Sequence, residues 1–125
     1  EKLENQAFIL AQKRKLLLLF ENLIYNAISF TPEDGVITIS PCLDQDGVTI
    51  RVSDTGMGIE PEHLPHIFER FYSGRPDASE SSGLGLYIAR ITVEELGGSI
   101  HAESVKGQGS VFTVQIPLAG TVPSL

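Results

Sequence analysis

Three groups of residues in this chain combine side-chain type and spacing in ways that could do chemistry. The first is Asn22 with Asn26. Residues four apart on a helix project from one face, about 6 Å apart along its axis. Asparagine suits helix interiors poorly because its amide competes for backbone partners, so two of them beside an apolar stripe need a reason. Either both amides bond neighbouring backbone, or their oxygens help hold a hard cation such as Mg²⁺, with waters and phosphates as its other ligands. The second group is Asp54-Thr55-Gly56-Met57-Gly58. Its carboxylate could bond a ligand or close an Asx turn, and its glycines could serve a corner or a close-lying ligand. The third is Gly83-Leu84-Gly85-Leu86. At a helix start, such glycines let phosphate oxygens approach unpaired N–H groups and the positive end of the helix dipole. A plain loop-to-helix turn would use the same residues.

These residues must be held by recognisable elements. Leu16, Leu19, Leu23 and Ala27, flanked by Phe20, Ile24 and Ile28, form a stripe at helical spacing that predicts a helix over 12–30. It should stop near Phe30, because Pro32 lacks an N–H and biases its predecessor to extended geometry. QAFIL at 6–10 reads either as a short strand or as the lead-in to that helix. VITISPCL (36–43) and VTIRVS (48–53) read as strands joined at DQDG (44–47), a hairpin signal. A short helix is expected after Glu60-Pro61, then a polar Ser/Gly/Pro-rich stretch that reads as a mobile loop. A second helix runs from Leu84 to Leu96 and stops at Gly97-Gly98. SIHAESV (99–105) and SVFTVQIP (110–117) pair around KGQG, and AGTVPSL reads as a tail. Helix, two strands, loop, helix, two strands predicts a two-layer α/β sandwich with helices on one face.

Composition narrows the function classes. The 125 residues make one domain, with 42% hydrophobic and 20% charged residues, as in globular proteins. A net charge of −7 argues against a nucleic-acid surface, and the only basic cluster is KRK at 13–15. The longest apolar run, LLLLF at 16–20, is far too short for a membrane span. Cys42 is alone and cannot form an internal disulfide. The chain opens at Glu1 with no signal peptide and is expected to be an excised piece of a longer protein.

Taken in order, the motifs resemble the catalytic, ATP-binding domain of sensor histidine kinases, within the wider group that includes gyrase, the heat-shock protein of ninety kilodaltons and the MutL proteins. FENLIYNAISFTP (20–32) resembles the family's N box and VSDTGMGI (52–59) its first glycine box. IFERFYSG (67–74) resembles the F box, SSGLGLYIAR (81–90) the second glycine box, and ELGGSI with GQGSVFTVQIPL the closing strands. The resemblance covers nearly all of residues 1–125, and the F box favours histidine kinases. It implies the Bergerat fold, a mixed, mostly antiparallel sheet covered on one face by helices, with a mobile ATP lid over about 68–82.

It also implies roles. Asp54 would accept a hydrogen bond from the adenine amino group, which an ionised carboxylate selects over the keto oxygen of guanine. Gly56 and Gly58 would let backbone pass close to the base, beside Ile59, and Thr113 would assist Asp54. Asn26 would contact Mg²⁺, and Asn22 the metal or phosphate region. Gly83, Leu84, Gly85 and Leu86 would line the phosphate end. Phe68 and Phe71 would anchor the lid, with Arg70 and Arg75 as candidate phosphate contacts. Cofactors would be ATP and Mg²⁺. Partners would be a histidine-containing dimerisation domain of the same protein and a response regulator receiver domain, without nucleic acid or direct membrane contact. Homodimerisation would lie in the removed part, and the domain would be cytoplasmic whether or not the parent is membrane-anchored.

Some positions depart from the family pattern. Ser29 stands where a lysine is usual, Ser73 replaces a frequent basic residue, and Leu96 replaces the usual His before Gly-Gly. Loss of a phosphate-facing cation matters because phosphoryl transfer relies on electrostatic stabilisation. ATPase members place a water-activating glutamate where this chain has Asn22, whose amide cannot act as a general base, and Glu21 points about 100° away. Transfer to another nucleophile therefore suits the site better than hydrolysis. None of His63, His66 or His101 stands in the family's acceptor context, so the acceptor is expected elsewhere. The alternative is a degenerate kinase domain that binds nucleotide or docks a protein without turnover.

Overall fold

The computed structural model describes residues 2–72 and 85–117. Elements follow as α1 (Lys2–Phe30), β1 (Ile37–Leu43), β2 (Gly47–Asp54), α2 (Gly85–Glu95), β3 (Ser99–Val105) and β4 (Gly109–Pro117). A 3₁₀ turn at Leu64–His66 stands where the short helix was expected. The predicted lid positions 73–82, Arg75, Gly83, Leu84 and the C-terminal tail lie outside the described residues.

α1 is longer than its apolar stripe predicts, because QAFIL continues the helix instead of forming a strand. It ends at Phe30, two residues before Pro32, as the missing N–H requires. α2 closes at Gly97, whose φ of +82° favours glycine. The Gly98 amide donates to the Val93 carbonyl at 2.9 Å and the Gly97 amide to Glu94 at 3.0 Å, a Schellman pair of bonds. At the first hairpin, Asp44 Oδ1 accepts from the amides of Asp46 (2.8 Å) and Gly47 (3.1 Å), which makes DQDG a turn.

The four strands form one sheet in the order β1-β2-β4-β3, and every pairing among the described residues is antiparallel. Strand alternation sorts side chains by face. Ile50 and Val52 of β2 and Phe112 and Val114 of β4 point into the core. Leu19, Leu23 and Ala27 of α1, with Ala89 and Val93 of α2, cover them from one side. Each of the large buried aliphatics contributes about 1.5–3 kcal/mol by leaving water. Ile28, expected beside the stripe, is 58% exposed because it lies on the opposite side of α1 from Leu23.

Candidate functional site

Asp54 is the last residue of β2 and, two positions beyond Val52, its side chain lies on the helix-covered face, 7% exposed. Its Oδ1 accepts the Gly56 amide at 2.8 Å, so the Asx turn is formed. A carboxylate has a second oxygen and further lone pairs, and these remain for another donor. The turn therefore leaves room for the ligand reading in the same side chain.

The loop that follows is held at nearly every residue. The Thr55 amide donates to the Val36 carbonyl (3.1 Å), Met57 to Phe30 at the end of α1 (3.2 Å), and Gly107 to Met57 (2.7 Å). The Ile59 amide donates to Ser104 Oγ at 2.7 Å. A Cβ on Gly56 would fall 2.1 Å from the Phe30 carbonyl oxygen, and one on Gly58, at φ +72°, 2.3 Å from that of Val105. The bareness of both glycines thus serves backbone-on-backbone packing.

A correction concerns Thr113. It pairs with Arg51 and His101, whereas Asp54 pairs with Ser110. Because faces alternate, Thr113 lies on the outer face of the sheet and cannot assist Asp54. Ser110, 6% exposed, occupies the inner position opposite Asp54, and its hydroxyl lies 3.0 Å from that of Ser104. Ser104 Oγ also donates to the Gly109 carbonyl at 2.9 Å. The parity of SVFTV, with Phe112 and Val114 inward, was the signal that could have found Ser110.

The two asparagines behave differently. Asn22 Nδ2 donates to the Leu18 carbonyl at 2.8 Å, which is the backbone-bonding reading. Its Oδ1 meanwhile faces the first residue of α2, 3.4 Å from where a Cβ on Gly85 would sit. Asn26 makes no side-chain hydrogen bond to any described residue. Gly85, Asn22, Asn26 and Phe30 with its docked Gly56-Met57 thus run in order along one flank of α1. Residues 22 to 30 span about 12 Å at 1.5 Å per residue.

Among the remaining expected contacts, Ile59, Phe68 and Leu86 pack against the core, and Phe68 meets Phe112 edge-on at 6.1 Å between centroids. The Phe68 carbonyl accepts Arg90 Nε at 3.4 Å. Phe71, expected as an anchor, is 61% exposed and carries the Arg70 guanidinium 4.7 Å over its ring, so Arg70 is engaged there. Tyr72 bonds His63 Nδ1 through its hydroxyl, and its ring lies tilted against that of His66, 5.5 Å between centroids. Glu21 is exposed, so it stays off the flank that carries the asparagines. Ser29 Oγ donates to the Tyr25 carbonyl at 2.9 Å.

Lys106 in the β3–β4 turn pairs with Glu60 just beyond the loop. The hydrogen bond to Glu60, then its charge, raise the Lys106 pKa above the ordinary 10.5, against a smaller opposing effect of burial. The pair's contribution is therefore fully present below pH 10.5 and lost as pH rises through the raised value. The difference in melting temperature between the wild type and Lys106→Gln is expected to be small, constant across neutral pH, and to close only in strong alkali. A gap that closes near neutrality would contradict this pairing.

Residues 11–120 match the family described as histidine kinase-, DNA gyrase B- and HSP90-like ATPase. The chain belongs to this family. Its relatives include sensor histidine kinase RppB of Synechocystis sp., 39% identical over 116 residues, covering 90% of this chain and 26% of that protein. The phosphate regulon sensor protein PhoR of Pseudomonas aeruginosa is 40% identical over 97 residues, covering 75% of this chain and 22% of that protein. The chain thus spans about a quarter of these relatives. The solved catalytic domain of histidine kinase ThkA superposes with a TM-score of 0.72 at 32% identity, over 83% of this chain and 67% of that one. A mycobacterial sensor histidine kinase, MprB, superposes at 0.75 with 24% identity, over 83% and 72%, and speaks to the fold alone. The protein has the Bergerat fold and is an ATP-binding catalytic domain of the sensor histidine kinase type.

No group of three or more His, Cys, Asp or Glu among the described residues could hold a metal ion. Carboxamide oxygens at Asn22 and Asn26 are hard donors that fit Mg²⁺ when phosphate oxygens and water complete its shell. No helix among the described residues is long and apolar enough to cross a membrane.

Proposed function

We propose that ATP lies along the flank of α1, with adenine at Asp54 and Ser110 and phosphates at Asn22, Asn26 and the start of α2. The observation that carries this reading is Asn26, a carboxamide without a bonding partner among the described residues, one turn from the oxygen of Asn22 that faces Gly85. The α2 start at Gly85 and Leu86 supplies unpaired N–H groups and a partial positive charge for the phosphates. Asn26, with help from Asn22, would hold Mg²⁺ at this end of the flank. When bound, the ion would supply charge neutralisation to the phosphates.

The reaction is transfer of the γ-phosphoryl group to a histidine on a separate dimerisation domain of the same protein. The bond from the γ-phosphorus to the bridging oxygen breaks, a phosphorus–nitrogen bond to the imidazole forms, ADP leaves, and the imidazole proton goes to solvent. Asn22 contributes no general base, so water is not activated by that residue. A response regulator receiver domain then takes the phosphoryl group, the parent being a homodimer with this domain in the cytoplasm.

Titration with ATP, ADP and GTP, with and without Mg²⁺, tests the site. ATP is expected to bind in preference to GTP, and Asn26→Ala to abolish the gain in affinity that Mg²⁺ brings. No binding at millimolar nucleotide would sink the reading. The two β4 residues are expected to separate cleanly. Ser110→Ala should weaken ATP by about tenfold, the worth of one buried hydrogen bond, and Thr113→Ala should leave it unchanged. The reverse pattern would mean that Thr113 reaches the nucleotide after all.

A further inference from the structure

Arg90 stands on α2 one turn beyond Leu86 and makes three contacts at once. Its Nε donates to the Phe68 carbonyl at 3.4 Å, and its Nη1 pairs with Glu94 Oε2 at 3.3 Å. Its guanidinium also lies 5.5 Å from the centre of the Tyr87 ring. Glu94 and Tyr87 belong to α2 itself, whereas Phe68 lies 22 residues earlier in the chain. Among the described residues, no other side-chain hydrogen bond joins α2 to residues 60–72.

Residues 67–72 have need of such a link. Phe71 has a φ of +64°, the one positive value among the described non-glycine residues. The left-handed region is unfavourable for a residue with a Cβ, and it persists only where the surroundings over-determine it. Three contacts do so here. The Phe68 ring meets Phe112 edge-on, the Tyr72 hydroxyl bonds His63 Nδ1, and the Phe68 carbonyl bonds Arg90. The first two hold side chains, and the third alone ties the backbone of the segment to another element. Phe68 and Leu86 pack on the same core, so the tie fixes the segment beside the start of α2.

We propose that Arg90 is a positioning residue of the nucleotide site. By holding the Phe68 carbonyl against α2, it keeps residues 67–72 in the ATP-competent arrangement before the nucleotide arrives. Its role rests on the ATP reading of the site given above. A protein whose competent arrangement is only fractionally populated binds its ligand more weakly by that fraction. Loss of the bond therefore weakens ATP binding without removing any contact to ATP. Lysine separates the tie from the charge. It keeps a positive charge within reach of Glu94, but a methylene takes the place of Nε and cannot donate to the carbonyl.

Titration of the chain with ATP and Mg²⁺ is expected to give Arg90→Met a Kd about tenfold above the wild type. Arg90→Lys should match Arg90→Met. Glu94→Gln loses an exposed ion pair and keeps the bond to Phe68, so its Kd should stay within about twofold of the wild type. Hydrogen exchange without nucleotide supplies a readout that a general loss of stability would not single out. The Glu69 and Tyr72 amides, bonded to the His66 and Glu69 carbonyls, should exchange faster in Arg90→Met. The Gly98 amide, bonded to the Val93 carbonyl at the far end of α2, should not. Wild-type affinity in Arg90→Lys would make the effect one of charge and overturn the proposal. So would a loss in Glu94→Gln as large as that in Arg90→Met. A wild type that binds no ATP would overturn the reading of the site as well. ATP binding that is unchanged in all three variants would overturn the role of Arg90 alone.

Discussion

Asp54→Asn is expected to leave the protein folded and to weaken ATP binding roughly a hundredfold, about 3 kcal/mol. The two halves of that expectation follow from the two carboxylate oxygens. Oδ1 accepts the Gly56 amide at 2.8 Å, and an asparagine oxygen can accept the same bond, so the turn survives. The other oxygen becomes an amide NH₂. A donor then faces the adenine amino group, which is also a donor, at a position only 7% exposed where water cannot relieve the clash. Calorimetric titration with ATP and GTP, alongside a thermal melt, reads both halves. Preference for ATP over GTP should collapse while the melting temperature moves by no more than a few degrees. If Asp54→Asn bound ATP as the wild type does, Asp54 would be a turn residue and nothing more.

A large loss of stability is expected from Gly58→Ala, about 3–4 kcal/mol. Two costs add there. Alanine at φ +72° pays the left-handed penalty, and its Cβ would press to 2.3 Å from the Val105 carbonyl oxygen, an atom fixed in the β3–β4 hairpin. Moving the loop to relieve the contact would break the Ile59–Ser104 and Gly107–Met57 bonds on either side. Gly107→Ala is the control, because its φ of +85° carries the same backbone penalty while nothing lies within 4 Å of the added Cβ. It should cost only about 1 kcal/mol. Urea denaturation of the two variants separates conformational strain from collision. Equal losses would show that the loop yields cheaply at Gly58.

The two expectations divide the loop after Asp54 into parts with different work. On the proposed reading Asp54 presents chemistry, and the glycines bring three segments of backbone close enough to hold it still. Loop 55–59 touches the end of α1, the entry to β1 and the β3–β4 turn. A nucleotide reader on a strand end needs such bracing, since a carboxylate displaced by an ångström loses its discrimination.

Much of this was legible in the sequence. The stripe Leu19, Leu23, Ala27 is a local pattern, and so are Pro32 after the helix, DQDG between two β-branched runs, and Gly97-Gly98 after α2. Local patterns act through backbone geometry that one segment carries by itself. The order of four motifs was enough to identify the family, which Asn22, Asn26, Asp54 and Gly85 did not individually announce. What failed was whatever depended on a neighbour distant in the chain. Thr113 and Ser110 are three residues apart, and only the register of β4 against β2 decides which of them shares a face with Asp54. The close backbone approach at Gly56 and Gly58 is to Phe30 and Val105, residues 26 and 47 positions away in the sequence, and was likewise not legible locally. QAFIL was ambiguous because a run of five apolar or neutral residues fits either period, and its helical state was settled by continuity with α1. The sequence by itself determined which residues could do chemistry and which elements carry them. Only the tertiary structure decided which of them face one another, because strand parity and backbone contact are set between segments and not within one.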